Sequence, residues 1–248
     1  MRVVLLALAT ALVVAGTARA DASPYGLGGG TTKLVEFGYR AHDGRARPAW
    51  LLLPVGYHGQ SIPLGISPHG RGIDPLSNAR GWGELPGEGG FAVVNPGGQG
   101  RRLADFSWGD PGEIADLARM PRIVEAHGVR VDRRRIYAIG GSMGGQETLL
   151  LVARHPHLLA GAVAFDPATD MTRRYWDFAE LRHGSHLQAL ARDEIGGTPG
   201  TDPEAYDVRS PDYFARAIAD SGVPLQLYWS TADRVIVERA RWEEVVID

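Results

Sequence analysis

The stretch RIYAIGGSMGG, residues 135–145, decides the fold expected for this chain. Its first five residues are rich in β-formers, and residues 146–154 after it have a helical pattern that ends at His155-Pro156. The stretch therefore predicts a strand, a sharp turn and a helix, with Ser142 at the apex of the turn. A serine held there adopts a strained backbone conformation, and the neighbouring glycines avoid collisions with the helix or with a bound molecule.

This arrangement is typical of a nucleophile elbow, in which a serine hydroxyl attacks a carbonyl carbon. The chain has 33 glycines, so the alternative is a glycine-rich turn that only joins a strand to a helix. A nucleophilic serine also needs a base, a carboxylate that orients the base, and amide donors for the oxyanion. The amide of Met143, at the start of the predicted helix, is one candidate donor.

A second oxyanion donor is expected from the loop at residues 68–72, which follows a predicted strand at 62–67. Gly70 and Arg71 are the candidates, because the glycines of this loop let its backbone approach a ligand closely. The alternative interpretation is a plain turn.

Asp233 is the candidate for the orienting acid, because it lies just past a predicted strand at 225–229. An aspartate in a loop that leads into a helix can instead cap that helix. Asp166, at the end of an earlier predicted strand at 159–165, is a reserve candidate. It precedes Pro167, so a role in a turn explains it equally well.

The order of the predicted elements indicates an α/β fold. A β-hairpin at 33–53 contains the turn signal Asp43-Gly44, and it is followed by strands that alternate with helices. A helix at 113–127 should be kinked or divided by Pro121. A polar stretch at 173–210 resembles a cap excursion over the sheet, and a last helix is expected at 237–247. We therefore expect one domain, 33–248, with a doubly wound, mostly parallel sheet and its site at the carboxyl ends of the strands.

Taken together, these residues resemble an α/β-hydrolase, and within that superfamily the prolyl oligopeptidase family of exported serine peptidases and esterases. The resemblance covers the chain from about Lys33 to its end. It rests on four short motifs in the expected order: Ser67-Pro68-His69-Gly70, the elbow at 140–145, Ser210-Pro211-Asp212-Tyr213 and Thr231-Ala232-Asp233-Arg234-Val235. The resemblance implies the hydrolase sheet and an ester or peptide substrate.

In this fold the catalytic histidine follows the acid along the chain, but none of the eight histidines follows Asp233. We expect that the sequence is truncated at its C-terminus and lacks the final strand, the histidine loop and the last helix, since one event explains all three losses. The alternative is an unusual base. Among internal histidines His69 is the first candidate, because it lies in the loop expected near Ser142, and His183 and His186 come next.

The N-terminus has the pattern of a secretory signal peptide at 1–20, with an uncharged stretch from Val3 to Val14 and the cleavage site Ala18-Arg19-Ala20. A stable membrane anchor is not expected, because the uncharged stretch is too short to span a bilayer. A flexible entry segment is expected at 21–32. The chain is therefore expected to be secreted, or to act in the periplasm or cell envelope.

The composition indicates a globular protein with a formal net charge of −3, and its arginines are scattered, so no nucleic-acid partner is expected. No metal or other cofactor is expected, because no His/Asp cluster has ligand spacing. The sequence makes no prediction of an oligomeric state.

The resulting hypothesis is a secreted serine hydrolase that cleaves an ester or peptide bond through an acyl-enzyme on Ser142. It is inactive in this chain if the base is absent. A non-catalytic, hydrolase-like binding protein is one alternative. The other is an acyltransferase that uses the same nucleophile.

Overall fold

A computed structural model of the chain describes residues 30–98, 100–181 and 183–230. The predicted signal peptide, most of the entry segment, Asp233 and the helix expected at 237–247 lie outside the described residues.

The centre of the described fold is a seven-stranded sheet with strand order β1-β2-β4-β3-β5-β6-β7. The five strands from β4 to β7 run parallel, and β1 and β2 are antiparallel additions at one edge. This mostly parallel sheet with an N-terminal hairpin confirms the predicted fold class. The strands are β1 (Thr32–Arg40), β2 (Ala46–Pro54), β3 (Ile62–Ile66), β4 (Ala92–Pro96), β5 (Val131–Gly141), β6 (Gly161–Phe165) and β7 (Leu225–Tyr228).

The hairpin of β1 and β2 forms as the sequence predicts. Gly44 adopts a φ of 80°, a left-handed conformation that glycine reaches without steric cost, and the amide of Ala41 donates to the carbonyl of Arg45 at 2.9 Å. The pairing register runs from Arg40 opposite Ala46 to Thr32 opposite Pro54.

Alternating side chains of β2 bury apolar groups on both faces of the sheet. Leu51 and Leu53 belong to the main core, whereas Leu52 belongs to a smaller cluster on the other face with Val93. Because successive residues of a strand point to opposite faces, a run of leucines predicts a strand that is covered on both sides.

The helices of the described chain connect the strands. They are α1 (Pro75–Arg80), α2 (Leu85–Gly89), α3 (Pro111–Ala126), α4 (Met143–Arg154), α5 (Met171–Asp177), α6 (Gly184–Ile195), α7 (Pro203–Asp207) and α8 (Ala215–Ala219). Of the kink or division expected at Pro121, the division does not occur, since α3 is one continuous helix of 16 residues that contains Pro121. The tertiary environment explains the continuity, because Pro121 is among the buried residues of α3.

Between β6 and β7 the chain forms a helical layer that includes the region expected as a cap excursion. Helices α5, α6 and α7 supply an apolar cluster of their own, which contains Phe178 and Tyr206. Trp108 and Met143 belong to the same cluster, so this layer packs directly beside the elbow. Within the described residues, none of the helices has both the length and the hydropathy that crossing a bilayer requires.

Candidate active site

Ser142 lies at the junction of β5 and α4, at the carboxyl end of a central strand. Its φ of 55° and ψ of −121° place a non-glycine residue in the positive-φ half of the Ramachandran map, which residues with a Cβ atom avoid, and the residue is exposed. Its amide donates to the carbonyl of Phe165 at 2.8 Å, and its carbonyl accepts from the amide of Gln146 at 3.0 Å. The predicted strand, turn and helix are therefore present, with the serine exposed at the turn.

Two glycines of the elbow are required by close backbone contacts. A methyl group on Gly140 would collide with the backbone of Gly144, and one on Gly144 would collide with the carbonyl of Pro68. The second contact also shows that the loop at 68–72 packs against the first turn of α4. The backbones of the elbow and of the candidate oxyanion loop are thus in direct contact, with no side chain between them.

Met143 is the first residue of α4, where backbone amides lack an intrahelical acceptor. Its side chain is buried, and its sulfur lies 3.3 Å from the amide of Trp108 and 3.7 Å from the Ser107 hydroxyl. These contacts fix the residue whose amide is the first predicted oxyanion donor.

Gly70 also lies close to the elbow. A methyl group on Gly70 would lie 3.8 Å from the carbonyl of Gly141, and the Gly70 carbonyl accepts from the amide of Ile73 at 3.0 Å. Arg71 follows on the same turn and is half-buried. The structure therefore brings Gly70, Arg71 and Met143 to one edge of the sheet with Ser142, and their roles as donors stay predictions.

His69, the first reserve base, is buried under the loop. Its Nε2 lies 2.8 Å from the carbonyl of Gly98 and its Nδ1 lies 3.0 Å from the carbonyl of Gly70. Both ring nitrogens are thus directed at main-chain carbonyl groups. These contacts give His69 a role in holding the oxyanion loop. The role of His69 as the catalytic base stays a prediction.

Other histidines lie on different surfaces. His155 and His157 follow the distal end of α4, about 20 Å along the helix from Ser142. His183 and His186 are exposed residues at the start of α6.

Asp166, the reserve acid, follows β6 with a φ of 40°. Its carboxylate accepts from the amide of Ser230 at 2.6 Å, and its own amide donates to the carbonyl of Tyr228 at 2.7 Å. Asp166 therefore anchors the end of β7, from which the chain proceeds to Asp233. Asp233 itself lies outside the described residues.

Sequence reasoning missed Glu147, a buried carboxyl group on the inner face of α4. It accepts a hydrogen bond from the Ser107 hydroxyl, and burial raises its pKa to about 7, although His69 and the hydrogen bonds from Ser107 and Gly109 oppose that increase. The sequence offered one signal for it, because Glu147 interrupts the apolar face of a helix that is buried along most of its length.

A comparison with family profiles gives an independent result. Residues 89–242 match Peptidase_S9, the prolyl oligopeptidase family. No curated protein gives a significant match to this chain.

Solved structures of similar fold include peptidases of which this chain covers less than half and a hydrolase of which it covers most. A candidate dipeptidyl aminopeptidase IV from Bacteroides ovatus aligns with a TM-score of 0.62 at 19% identity, over 86% of this chain and 34% of that chain. The S-formylglutathione hydrolase of Agrobacterium tumefaciens aligns with a TM-score of 0.64 at 13% identity, over 87% of this chain and 83% of that chain. An acylaminoacyl peptidase from Pyrococcus horikoshii aligns with a TM-score of 0.60 at 16% identity, over 87% of this chain and 40% of that chain.

This chain thus spans about a third of the length of the Bacteroides protein. The structural likeness establishes the α/β-hydrolase fold, and the profile covers more than half of the chain. The chain belongs to the prolyl oligopeptidase family of serine hydrolases.

Proposed function

We propose that this chain is an exported serine hydrolase domain, in which Ser142 attacks the carbonyl carbon of an ester or peptide bond and forms an acyl-enzyme. The observation that carries the proposal is the backbone of Ser142, which is strained, exposed and placed at the first turn of α4. Such strain persists only where the surrounding structure enforces it, and it is concentrated at functional sites.

The chemical steps follow from the residues around the serine. As the Ser142 oxygen bonds to the carbonyl carbon, its proton passes to a base and negative charge develops on the carbonyl oxygen. The amides of Met143 and of Gly70 or Arg71 stabilise that oxyanion. Collapse of the intermediate expels the alcohol or amine, which takes up the proton, and water then releases the acid from Ser142.

Asp233 orients the imidazole of the base in this proposal. None of the histidines in the 248 residues follows Asp233, and His69 is engaged by two carbonyl groups. We therefore expect slow hydrolysis by these residues alone, at the level that binding and oxyanion stabilisation provide without a base.

The first test is covalent labelling by a fluorophosphonate probe, with and without added imidazole. We expect slow labelling of Ser142 that imidazole accelerates, and no labelling of Ser142→Ala. If His69→Asn removes the labelling and added imidazole restores it, His69 is the base, whereas a loss that imidazole does not restore indicates disruption of the loop that His69 holds. Absence of labelling and of ester hydrolysis even with imidazole would overturn the proposal and favour a hydrolase-like binding protein.

A second test separates hydrolysis from acyl transfer. The acyl-enzyme is formed from an activated ester in the presence of an alcohol, and the products are separated by mass. Free acid as the main product supports hydrolysis, whereas a transferred ester as the main product identifies an acyltransferase.

Export is tested on the protein produced with residues 1–20 in a bacterial host. We expect cleavage before Asp21 and recovery of the protein outside the cytoplasm, read from the mass of the N-terminal peptide. An uncleaved, cytoplasmic product would contradict this part of the proposal.

A further inference from the structure

The side chain of Arg71 lies between the oxyanion loop and the helical layer that covers it. Its Cζ is 5.7 Å from the ring centroid of Phe178, a residue of the apolar cluster that also contains Met143. The Cζ of Arg174, which is itself buried, lies 4.8 Å from the same ring. Two guanidinium groups therefore converge on one buried aromatic ring beside the elbow.

Arg71 is not neutralised within the described chain. Its Nη1 is buried and has no hydrogen-bond partner among the described residues, and no described carboxylate forms an ion pair with it. Burial lowers the pKa of the Arg71 guanidinium. A half-buried cation without a described counter-charge carries a desolvation cost, and a carboxylate on a bound ligand would offset it.

Aromatic residues connect the Arg71 guanidinium to the elbow. The amide of Gly72 donates to the carbonyl of Asp105 at 2.9 Å, which brings the oxyanion loop against the segment that carries Phe106 and Trp108. The Trp108 ring lies 5.6 Å from that of Phe106 and 6.1 Å from that of Phe178. Apolar rings thus lie between the guanidinium groups and Met143, the residue after the nucleophile.

We infer that Arg71 binds a carboxylate carried by the substrate, so that the enzyme acts on esters or amides with an anionic group separated from the scissile bond by an apolar spacer. A guanidinium presents paired N–H donors that match the two oxygens of a carboxylate. The aromatic rings would contact the spacer. This inference rests on the proposed function, because it assigns a substrate class to the same site.

The experiment compares matched esters that differ only in charge. The acyl-side pair is the mono-p-nitrophenyl ester of adipic acid and its primary amide, and the leaving-group pair is 3-acetoxybenzoate and 3-acetoxybenzamide. We expect kcat/KM, measured with imidazole, to favour the anionic member of at least one pair. The responding pair identifies the side of the scissile bond that carries the carboxylate. Equal rates in both pairs would overturn the inference and leave the proposed function intact.

Arg71→Gln should reduce the anionic preference by about 10-fold to 100-fold, since a hydrogen bond to a charged group is lost, and Arg71→Lys should reduce it less. Arg134→Gln, the same charge change at an exposed position on β5, should not alter it. A structural role would make Arg71→Gln unfold more easily. Removal of a half-buried charge that has no described counter-charge should instead leave the melting temperature equal or higher.

A binding measurement keeps the two proposals separable. Adipate is titrated into Ser142→Ala by calorimetry, and Arg71→Gln in that background should weaken binding at least 10-fold. Binding that depends on Arg71 supports the inference even if no ester is hydrolysed. Where no ester is hydrolysed, absence of adipate binding overturns it.

Discussion

The amide of Ser142 donates to the carbonyl of Phe165 at 2.8 Å, so the last residue of β6 holds the residue at the apex of the elbow. The hydrogen bond extends the pairing of β5 and β6 beyond Gly141, which is in register with Phe165. The strained backbone of Ser142 is therefore stabilised by the neighbouring strand as well as by α4.

Replacement of Ser142 by glycine should separate catalysis from stability. Glycine adopts a φ of 55° without the steric cost that serine bears, so Ser142→Gly should raise the free energy of unfolding by about 1 kcal/mol or more while it abolishes labelling. Ser142→Ala serves as the control, because it removes the hydroxyl and keeps the strain. Urea denaturation of the three proteins measures the difference, and equal stability of both variants would contradict this account of strain.

Gly144→Ala tests the contact between α4 and the oxyanion loop. The added methyl group would collide with the carbonyl of Pro68, and we expect a loss of about 1–3 kcal/mol in the free energy of unfolding, together with slower labelling of Ser142. Gly56→Ala is a matched control, since its methyl group would meet no atom within 4 Å. A Gly144→Ala protein as stable as Gly56→Ala would show that the loop is not held there.

Glu147 should make stability depend on pH between about 4.5 and 7. Its pKa is raised in the folded state from 4.5 to about 7, so the folded state binds the proton more tightly than the unfolded chain does. The free energy of unfolding should therefore fall as pH increases through this window, by on the order of 3 kcal/mol.

The variant Glu147→Gln isolates that contribution, since glutamine keeps an acceptor for Ser107 and cannot ionise. Asp212, whose pKa burial raises to about 6, contributes in the same direction and remains in both proteins. Urea denaturation at pH 5 and pH 7.5 should show a shallower decline for Glu147→Gln. An identical decline in both proteins would remove Glu147 as its source.

The ion pair of Arg209 and Asp110 should be a strong structural link. The Arg209 Nη2 lies 2.7 Å from an Asp110 carboxylate oxygen, and both side chains are largely buried, at 6% and 12% exposure. Arg209→Met removes the guanidinium partner of a buried carboxylate, which keeps only His42 at 3.7 Å and the amides of Gly112 and Glu113 among its described contacts. It should cost about 3 kcal/mol in the free energy of unfolding.

The pair Arg216–Asp220 provides the matched control, because its side chains are 93% and 67% exposed. Arg216→Met should cost no more than about 1 kcal/mol. Thermal and urea denaturation measure both variants, and similar losses in the two would refute the role of burial.

Glu194 connects α6 to the loop after β4. Its carboxylate is fully buried and accepts from the amides of Arg101, Arg102 and Leu103. Glu194→Gln replaces one acceptor oxygen with a donor, so amide hydrogen exchange at 101–103 should accelerate by at least 10-fold. Asp220→Asn removes an exposed carboxylate that pairs with Arg216, so it should leave the exchange at 101–103 unchanged. An unchanged exchange in Glu194→Gln would contradict the importance of the contact.

Local sequence patterns were sufficient to predict most of the strands of the sheet. The hairpin, the buried strands and the elbow formed where residue alternation and turn signals predicted them. The helices at 171–207 were not predicted, because their polar sequences have weak periodicity and become helical within a layer that packs around Phe178 and Tyr206. The expected division at Pro121 failed for a related reason, since packing in the core outweighs the loss of one backbone hydrogen bond.

The sequence by itself determined the elbow and the order of the strands, because these depend on interactions among residues close along the chain: glycines at a sharp turn, alternation in strands and the start of a helix. Only the tertiary structure decided that His69 faces two carbonyl groups, that Glu147 is buried against Ser107, and that Arg71 meets Phe178. Residues 71 and 178 are distant in sequence, and their contact depends on how the helical layer packs on the sheet, which no local pattern encodes.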